Sequence, residues 1–338
     1  MANSMSPVTP SSRILFASCN SQHYEPVLWP AMTARHASTF VWVGDAVYAD
    51  DFHDSESFWR KGAVREATPA VLKDLYEQLL DQPGYLRFTG RENDSSLTNK
   101  LRVLGVFDDH DYGINNGDKF YQFRTESARL FMQFLKHSSS AEIDLTIMDQ
   151  RAAAGKGVYG VKVMDFLRPP GQELLSDDEA AIEPSVVRRS EEPKLSDRSV
   201  AIILLDCRSN KSPWNKGFPQ KYLPDYEADF LGTEQWDWLE AALSRSTASV
   251  NVIVQGLQVH ADRYFDGNLV EDWSRFPMAQ HRLYQTVLKS GASAPVLVSG
   301  DVHMAELLRK DCRRRTPGDS SSASSSPRML LEVTVSGM

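Results

Sequence analysis

The sequence predicts an α/β protein built on buried strands, and two regularities carry that prediction. Short apolar runs rich in β-branched residues recur at Ile14 to Ala17, Phe40 to Val43, Val103 to Phe107, Val200 to Leu205, Val250 to Val254 and Val296 to Val298. Runs of this length and composition read as strands covered on both faces. Between them, apolar residues recur every three or four positions at Ala70 to Leu80, Phe123 to Leu135, Glu234 to Leu243 and His281 to Lys289, the pattern of helices with one buried face. Strand alternating with helix means helical layers over sheet.

A chain of 338 residues with 41% hydrophobic content can bury a large core, and it reads as one domain, 13–338, behind a flexible N-terminus, 1–12. Two segments resist that ordering. Residues 176–198 are rich in Asp, Glu, Ser and Arg with almost no aromatics, and 316–328 is the low-complexity run TPGDSSSASSSPR. Both are expected to be disordered insertions, the second lying just before a last strand, Met329 to Val335.

The formal net charge of -8 argues against a nucleic-acid-binding surface, which needs a basic stripe. Cys19, Cys207 and Cys312 neither cluster nor show paired spacing, so no disulfide framework is expected. No run approaches the roughly 20 apolar residues of a membrane span, and MANSMSPVTPSSR lacks the apolar core of an export signal, so the chain as written reads as cytoplasmic.

Ligands of α/β sheets gather outside the carboxyl ends of the strands, and the residues that follow these strands are unusual. The first strand runs into Ser18 and Cys19, and the second into GDAVYADD with Asp45, Tyr48, Asp50 and Asp51. The third ends in DDHDYGINN, which supplies Asp108, Asp109, His110, Asp111, Asn115 and Asn116. The others deliver Asp206 and Arg208, Gln258 and His260, and Asp301 and His303. Carboxylate, imidazole, amide, thiolate and phenolate donors on one rim suit metal ions, with Asp45 able to bridge two.

Each residue also has a plainer explanation. GD after a strand is often a turn, Cys19 a small buried hydrophobe, Tyr48 a packed aromatic, and the Asn pair before Gly117 a turn. Arg208 pairs equally well with a neighbouring carboxylate as with a phosphate, and His260 is balanced between core and site. The acidic run at 108–111 is harder to dismiss, because adjacent acids repel one another unless a cation or hydrogen-bond donors compensate them.

The ordered set ASCN, VGDAVYAD, FDDHDYGINN, LDCRSN, GLQVHAD and SGDVHMAEL resembles the alkaline phosphatase D (PhoD) type of metallophosphatases, distant relatives of the calcineurin-like phosphoesterases. The likeness runs from Arg13 to Met338, and EDWSRFP resembles the family's Trp-containing segment. It implies a four-layer α/β/β/α metallophosphatase sandwich and phosphodiesterase or phosphomonoesterase activity with iron and calcium. Carried over by motif, Cys19, Asp45 and Tyr48 become iron ligands, and Asn115, Asp301 and His303 complete the metal sites. Asp109 or His110 falls where relatives place catalytic or metal-binding groups. Magnesium, manganese or zinc are further candidates.

The expected reaction is hydrolysis of a phosphate ester by a metal-activated hydroxide. Arg208 is expected to steady charge on the equatorial oxygens, Gln258 and His260 to contact the substrate, and His110 or His303 to protonate the leaving alkoxide. The sequence stops at Ser336 to Met338, where relatives continue through a Thr-His pair and further structure. That motivates a second expectation, a truncated, inactive metal-binding paralogue or gene-model fragment.

Overall fold

Each predicted strand forms within one residue of its expected ends. The computed structural model describes residues 13–22, 27–50, 66–92, 100–165, 199–218, 221–261, 271–312 and 329–337. The expected flexible N-terminus, both expected insertions and Asp51 lie outside the described residues.

The apolar N-terminal strands β1 (Ile14–Ala17), β2 (Thr39–Val43) and β3 (Arg102–Val106) form a parallel sheet in the order β1-β2-β3. The central β2 is buried along its whole length, as its unbroken apolar sequence demands. A second sheet uses β4 (Gly160–Asp165), β5 (Ser199–Leu204), β8 (Val250–Val254), β9 (Pro295–Ser299), β10 (Glu306–Asp311) and β11 (Met329–Thr334) in the order β10-β11-β9-β8-β5-β4. Its four inner strands are parallel and its two edge strands antiparallel. The short β6 (Asn215–Gly217) and β7 (Lys221–Leu223) pair separately.

The helices follow the same division. Against the first sheet lie α1 (Leu28–Thr33), α2 (Pro69–Asp81), α3 (Pro83–Phe88), α5 (Arg124–Ser138) and α6 (Thr146–Ala153), with the single turn α4 (Asp109–Tyr112) directly after β3. Thr68 starts α2 by accepting the Val71 N–H, with Pro69 at the first helical position. Against the second sheet lie α7 (Gly232–Arg245) and α8 (Pro277–Ser290).

Strand pleating sorts the second sheet's side chains into two cores. Ile202, Leu204, Val254 and Val298 share a cluster with Val41, Val43 and Val103 of the first sheet. The alternate residues Ala201, Ile203, Ile253 and Leu297 meet Trp236, Leu239 and Leu283 of α7 and α8 instead. The first core continues into an aromatic group of Trp29, Phe40, Trp42, Tyr85, Phe88 and Phe134, with the Phe40 and Trp42 rings 4.9 Å apart. Trp42 keeps its indole N–H satisfied by donating to the Tyr85 hydroxyl, which donates to Ser138.

The strands that patterning did not predict are short or marginal. The edge strand β10 exposes Leu307, Arg309, Lys310 and Asp311, so the apolar run that marks an inner strand is missing there. No helix among the described residues is long and apolar enough to cross a membrane.

Replacing Trp42 with Ala removes a fully buried indole from the aromatic group and is expected to cost about 3–5 kcal/mol. Denaturant unfolding checks this; a loss under ~1 kcal/mol would mean that the group contributes little to the core.

Candidate metal centre

Because β1, β2 and β3 are parallel, as are β5, β8 and β9, their carboxyl ends bring the following loops to one rim. Cross-sheet contacts close that rim. Cys19, after β1, places Sγ 3.5 Å from Asp45 Oδ2, after β2, and 2.9 Å from the Ser336 hydroxyl, after β11. Ser336 also accepts the His303 N–H at 2.8 Å, and Tyr48 places its hydroxyl 2.7 Å from His303 Nε2.

The backbone at this rim is strained. Among the described residues, seven non-glycine positions have positive φ, and five of them are Cys19, Asp45, Asn116, Asp301 and His303. Side chains held in the left-handed region cost free energy that surrounding contacts must offset, and such strain clusters at functional sites. Glycines shape the floor. A Cβ at Gly44, where φ is +89°, would fall 2.5 Å from Asp108 Cβ, and one at Gly256 would fall 2.3 Å from Asp108 Cγ.

The acidic run divides its labour. Asp111 is structural: its carboxylate accepts the Asp108 N–H at 2.6 Å in a capping box on α4 and the Ala46 N–H at 3.0 Å. Gly113 ends the turn in the left-handed conformation that glycine tolerates best. Asp108 accepts from Arg208 Nε at 2.5 Å. Asp109 accepts the backbone N–H groups of His110 and Asn116 at 3.0 and 2.7 Å. His110 pairs through Nδ1 with buried Asp50 at 2.6 Å, and the Tyr48 ring lies 4.2 Å from its own.

Among the described residues, two groups each bring their potential ligand atoms within 4.8 Å of one another, Asp45 with Asp109 and His110, and Asp108 with Asp109 and Asp301. Burial, then the Cys19 charge, pushes Asp45 well above the usual carboxylate range. Burial, then Asp108 and Asp109, does the same to Asp301. Asp108 is pushed up to about 7 by burial although Arg208 opposes this. Burial alone would lower the His110 pKa, but Asp109, Asp45 and Asp50 raise it to about 11, so the cluster holds that imidazole as a cation. Burial likewise raises Asp109, yet His110 and Arg208 prevail and keep it ionised.

Asp45 Oδ1 and Asp108 Oδ2 are buried with no protein hydrogen-bond partner. Buried carboxylate oxygens without donors are costly unless a cation or water completes them. A metal ion therefore fits this donor set, with Asp45, Asp109, His110, Asp108 and Asp301 as the residues able to hold it. Cys19 and Tyr48 add a thiol and a phenol beside Asp45, and burial raises the pKa of both.

Several expected roles change. Arg208 is fully buried, with Nε on Asp108 of the rim and its terminal nitrogens forked onto Glu271 at 3.0 and 2.7 Å, so its donors meet carboxylates. Gln258 is also fully buried, its amide donating to Glu306 and Thr334. His260 is a core histidine, with Nε2 3.0 Å from the Leu330 carbonyl and Nδ1 3.1 Å from the Tyr284 hydroxyl. Asn115 is half-buried on the loop whose next residue, Asn116, contacts Asp109 through its backbone and Tyr222 through its side chain. Glu271 and Ser336 have no expected role, although Glu271 lies within EDWSRFP, and Asp50, expected only as one of the rim's acids, holds His110.

A mixed α/β fold with carboxylates gathered at the ends of parallel strands defines the class. Residues 198–334 match the family model described as PhoD-like phosphatase. The fold matches a solved structure titled "Structure of PhoD" over 97% of this chain, with a TM-score of 0.57 and 16% identity. The chain spans 57% of that structure's length, and at this identity the likeness bears on fold alone. No curated protein matches the sequence. The C-terminal part of the chain, residues 198–334, is thus similar to PhoD-like phosphatases.

Burial lowers the His260 pKa to about 4. An unfolded histidine titrates near ~6.5, so between these values the unfolded chain binds a proton that the native state refuses. This contribution is present above the unfolded pKa and is lost as pH falls towards 4. His260→Gln is expected to show a smaller fall in unfolding midpoint between neutral and acidic pH than wild type, both in EDTA. Equal falls would remove His260 as the cause.

Proposed function

We propose that this chain is a metal-dependent phosphoric-ester hydrolase whose centre is formed by Asp45, Asp108, Asp109, His110 and Asp301, with Cys19, Tyr48, Asn115 and His303 at its margin. The observation that carries the reading is the pair of buried, unpartnered carboxylate oxygens, Asp45 Oδ1 and Asp108 Oδ2, on two groups whose pKa values burial raises. A bound cation would supply Lewis acidity, activating water and neutralising charge on the phosphoryl oxygens.

The chain's own residues do the rest. Asp109, held by two backbone N–H groups, stays ionised and shared between the two ligand sets. Exposed His303, fixed by Tyr48, is the group suited to move a proton to the leaving alkoxide, while His110, fixed by Asp50, would serve as a ligand. The thiol and phenol beside Asp45 support iron there, and the all-carboxylate set of Asp108, Asp109 and Asp301 supports calcium, magnesium or manganese. A core shared by both sheets and a second core under α7 and α8 support the four-layer α/β/β/α sandwich.

Thermal unfolding in EDTA and in excess manganese or calcium, with hydrolysis of bis(p-nitrophenyl) phosphate and p-nitrophenyl phosphate, tests the reading. Wild type is expected to gain a few degrees from added cation, about 2.7 kcal/mol at a hundredfold excess over Kd. Asp45→Asn is expected to lose that gain and at least ~100-fold in hydrolysis. An Asp45→Asn protein that keeps both would sink the assignment, and a cation-induced gain without hydrolysis would leave a metal-binding protein with no phosphatase activity.

A further inference from the structure

Glu271 is buried on the segment leading into the 3-10 turn Trp273–Arg275, and three side chains of the loop after β5 converge on it. Arg208 donates to its two oxygens through NH1 and NH2 at 3.0 and 2.7 Å. Trp214 donates its indole N–H, and Lys211 Nζ lies 3.9 Å away. The remaining guanidinium nitrogen, Nε, donates to Asp108 Oδ1, while Asp108 Oδ2 has no protein partner. Arg208 NH2 also lies 3.7 Å from Asp109 Oδ1, beyond a hydrogen bond.

We propose that Glu271 is a positioning residue for the metal centre: by gripping both ends of the Arg208 fork it sets the guanidinium plane, so that Arg208 steadies Asp108 without capturing Asp109. The inference rests on the metal-centre reading above. A guanidinium is planar, with its donors in a rigid fork, so a bidentate partner fixes its plane and with it the direction of Nε. Arg208 is fully buried, so its terminal N–H groups must find acceptors inside the protein. Without the Glu271 carboxylate, Asp109 is the next acidic acceptor within reach, and a rotated Arg208 would engage the residue common to both ligand sets. Glu271 also neutralises Arg208, so a cation at Asp108 and Asp109 meets a balanced pair in place of a bare positive charge.

An ion pair that only stabilised the fold would leave cation affinity unchanged in any variant that still folds. The test is titration of the metal-stripped full chain with manganese(II), counting free ion by electron paramagnetic resonance, for wild type, Asp45→Asn, Glu271→Gln and Glu271→Asp. Circular dichroism establishes which variants are folded. The proposal expects tight binding by wild type, none by Asp45→Asn, and about 10- to 100-fold weaker binding by folded Glu271 variants. Folded Glu271 variants that bind within twofold of wild type, with Asp45→Asn silent, would overturn the proposal and leave the metal centre standing. Wild type without manganese affinity would overturn both. If one Glu271 variant folds, it decides the question; if neither folds, the pair is purely structural and the proposal is overturned.

Discussion

Buried negative charge is the constraint on which the rest of this structure depends. Asp45, Asp108, Asp109 and Asp301 converge at one rim, and carboxylates out of water repel one another unless something positive or hydrogen-bonding meets them. The fold answers with graded compensation. Asp109 receives backbone N–H groups, Asp108 receives Arg208, and His110 is held as a cation between Asp109, Asp45 and Asp50. What is left uncompensated, one oxygen each on Asp45 and Asp108, defines where a metal ion would act.

The two sheets contribute unequally to this arrangement. The first supplies Cys19, Asp45, Tyr48 and the acidic turn, all on loops leaving three parallel strands. The second supplies the counterparts: Arg208 from the loop after β5, Asp301 and His303 after β9, and Ser336 after β11. Cys19 with Ser336, Tyr48 with His303 and Asp108 with Arg208 are contacts that cross between sheets, and an apolar core joins the two.

Much of this was legible in the sequence, and the exceptions have physical causes. The inner strands announce themselves because burial on both faces demands an unbroken apolar run, whereas β10 and the short β6 and β7 carry no such demand. The rim residues were legible because acids after strands are costly without a purpose. Individual roles were less so. Asp111 has the same residue type as Asp109 and two residues' separation, yet it caps a turn while Asp109 faces the cluster, a distinction set by backbone geometry. Arg208, Gln258 and His260 follow strands as ligands do, but each side chain turns inward to partners distant in sequence, Glu271, Thr334 and Leu330.

The hydroxyl of Ser336 touches both Cys19 and the backbone of His303, and β11, which delivers it, lies between β10 and β9. The rim thus unites a residue near position 20 with one more than 300 positions later. During synthesis, the acidic loops of the first sheet emerge long before the strand that closes over them, and they must wait as solvated, mutually repelling groups. Contacts of such sequence separation form late in folding. A cation would therefore find its full set of neighbours only after the chain through Ser336 has been made and β11 has paired.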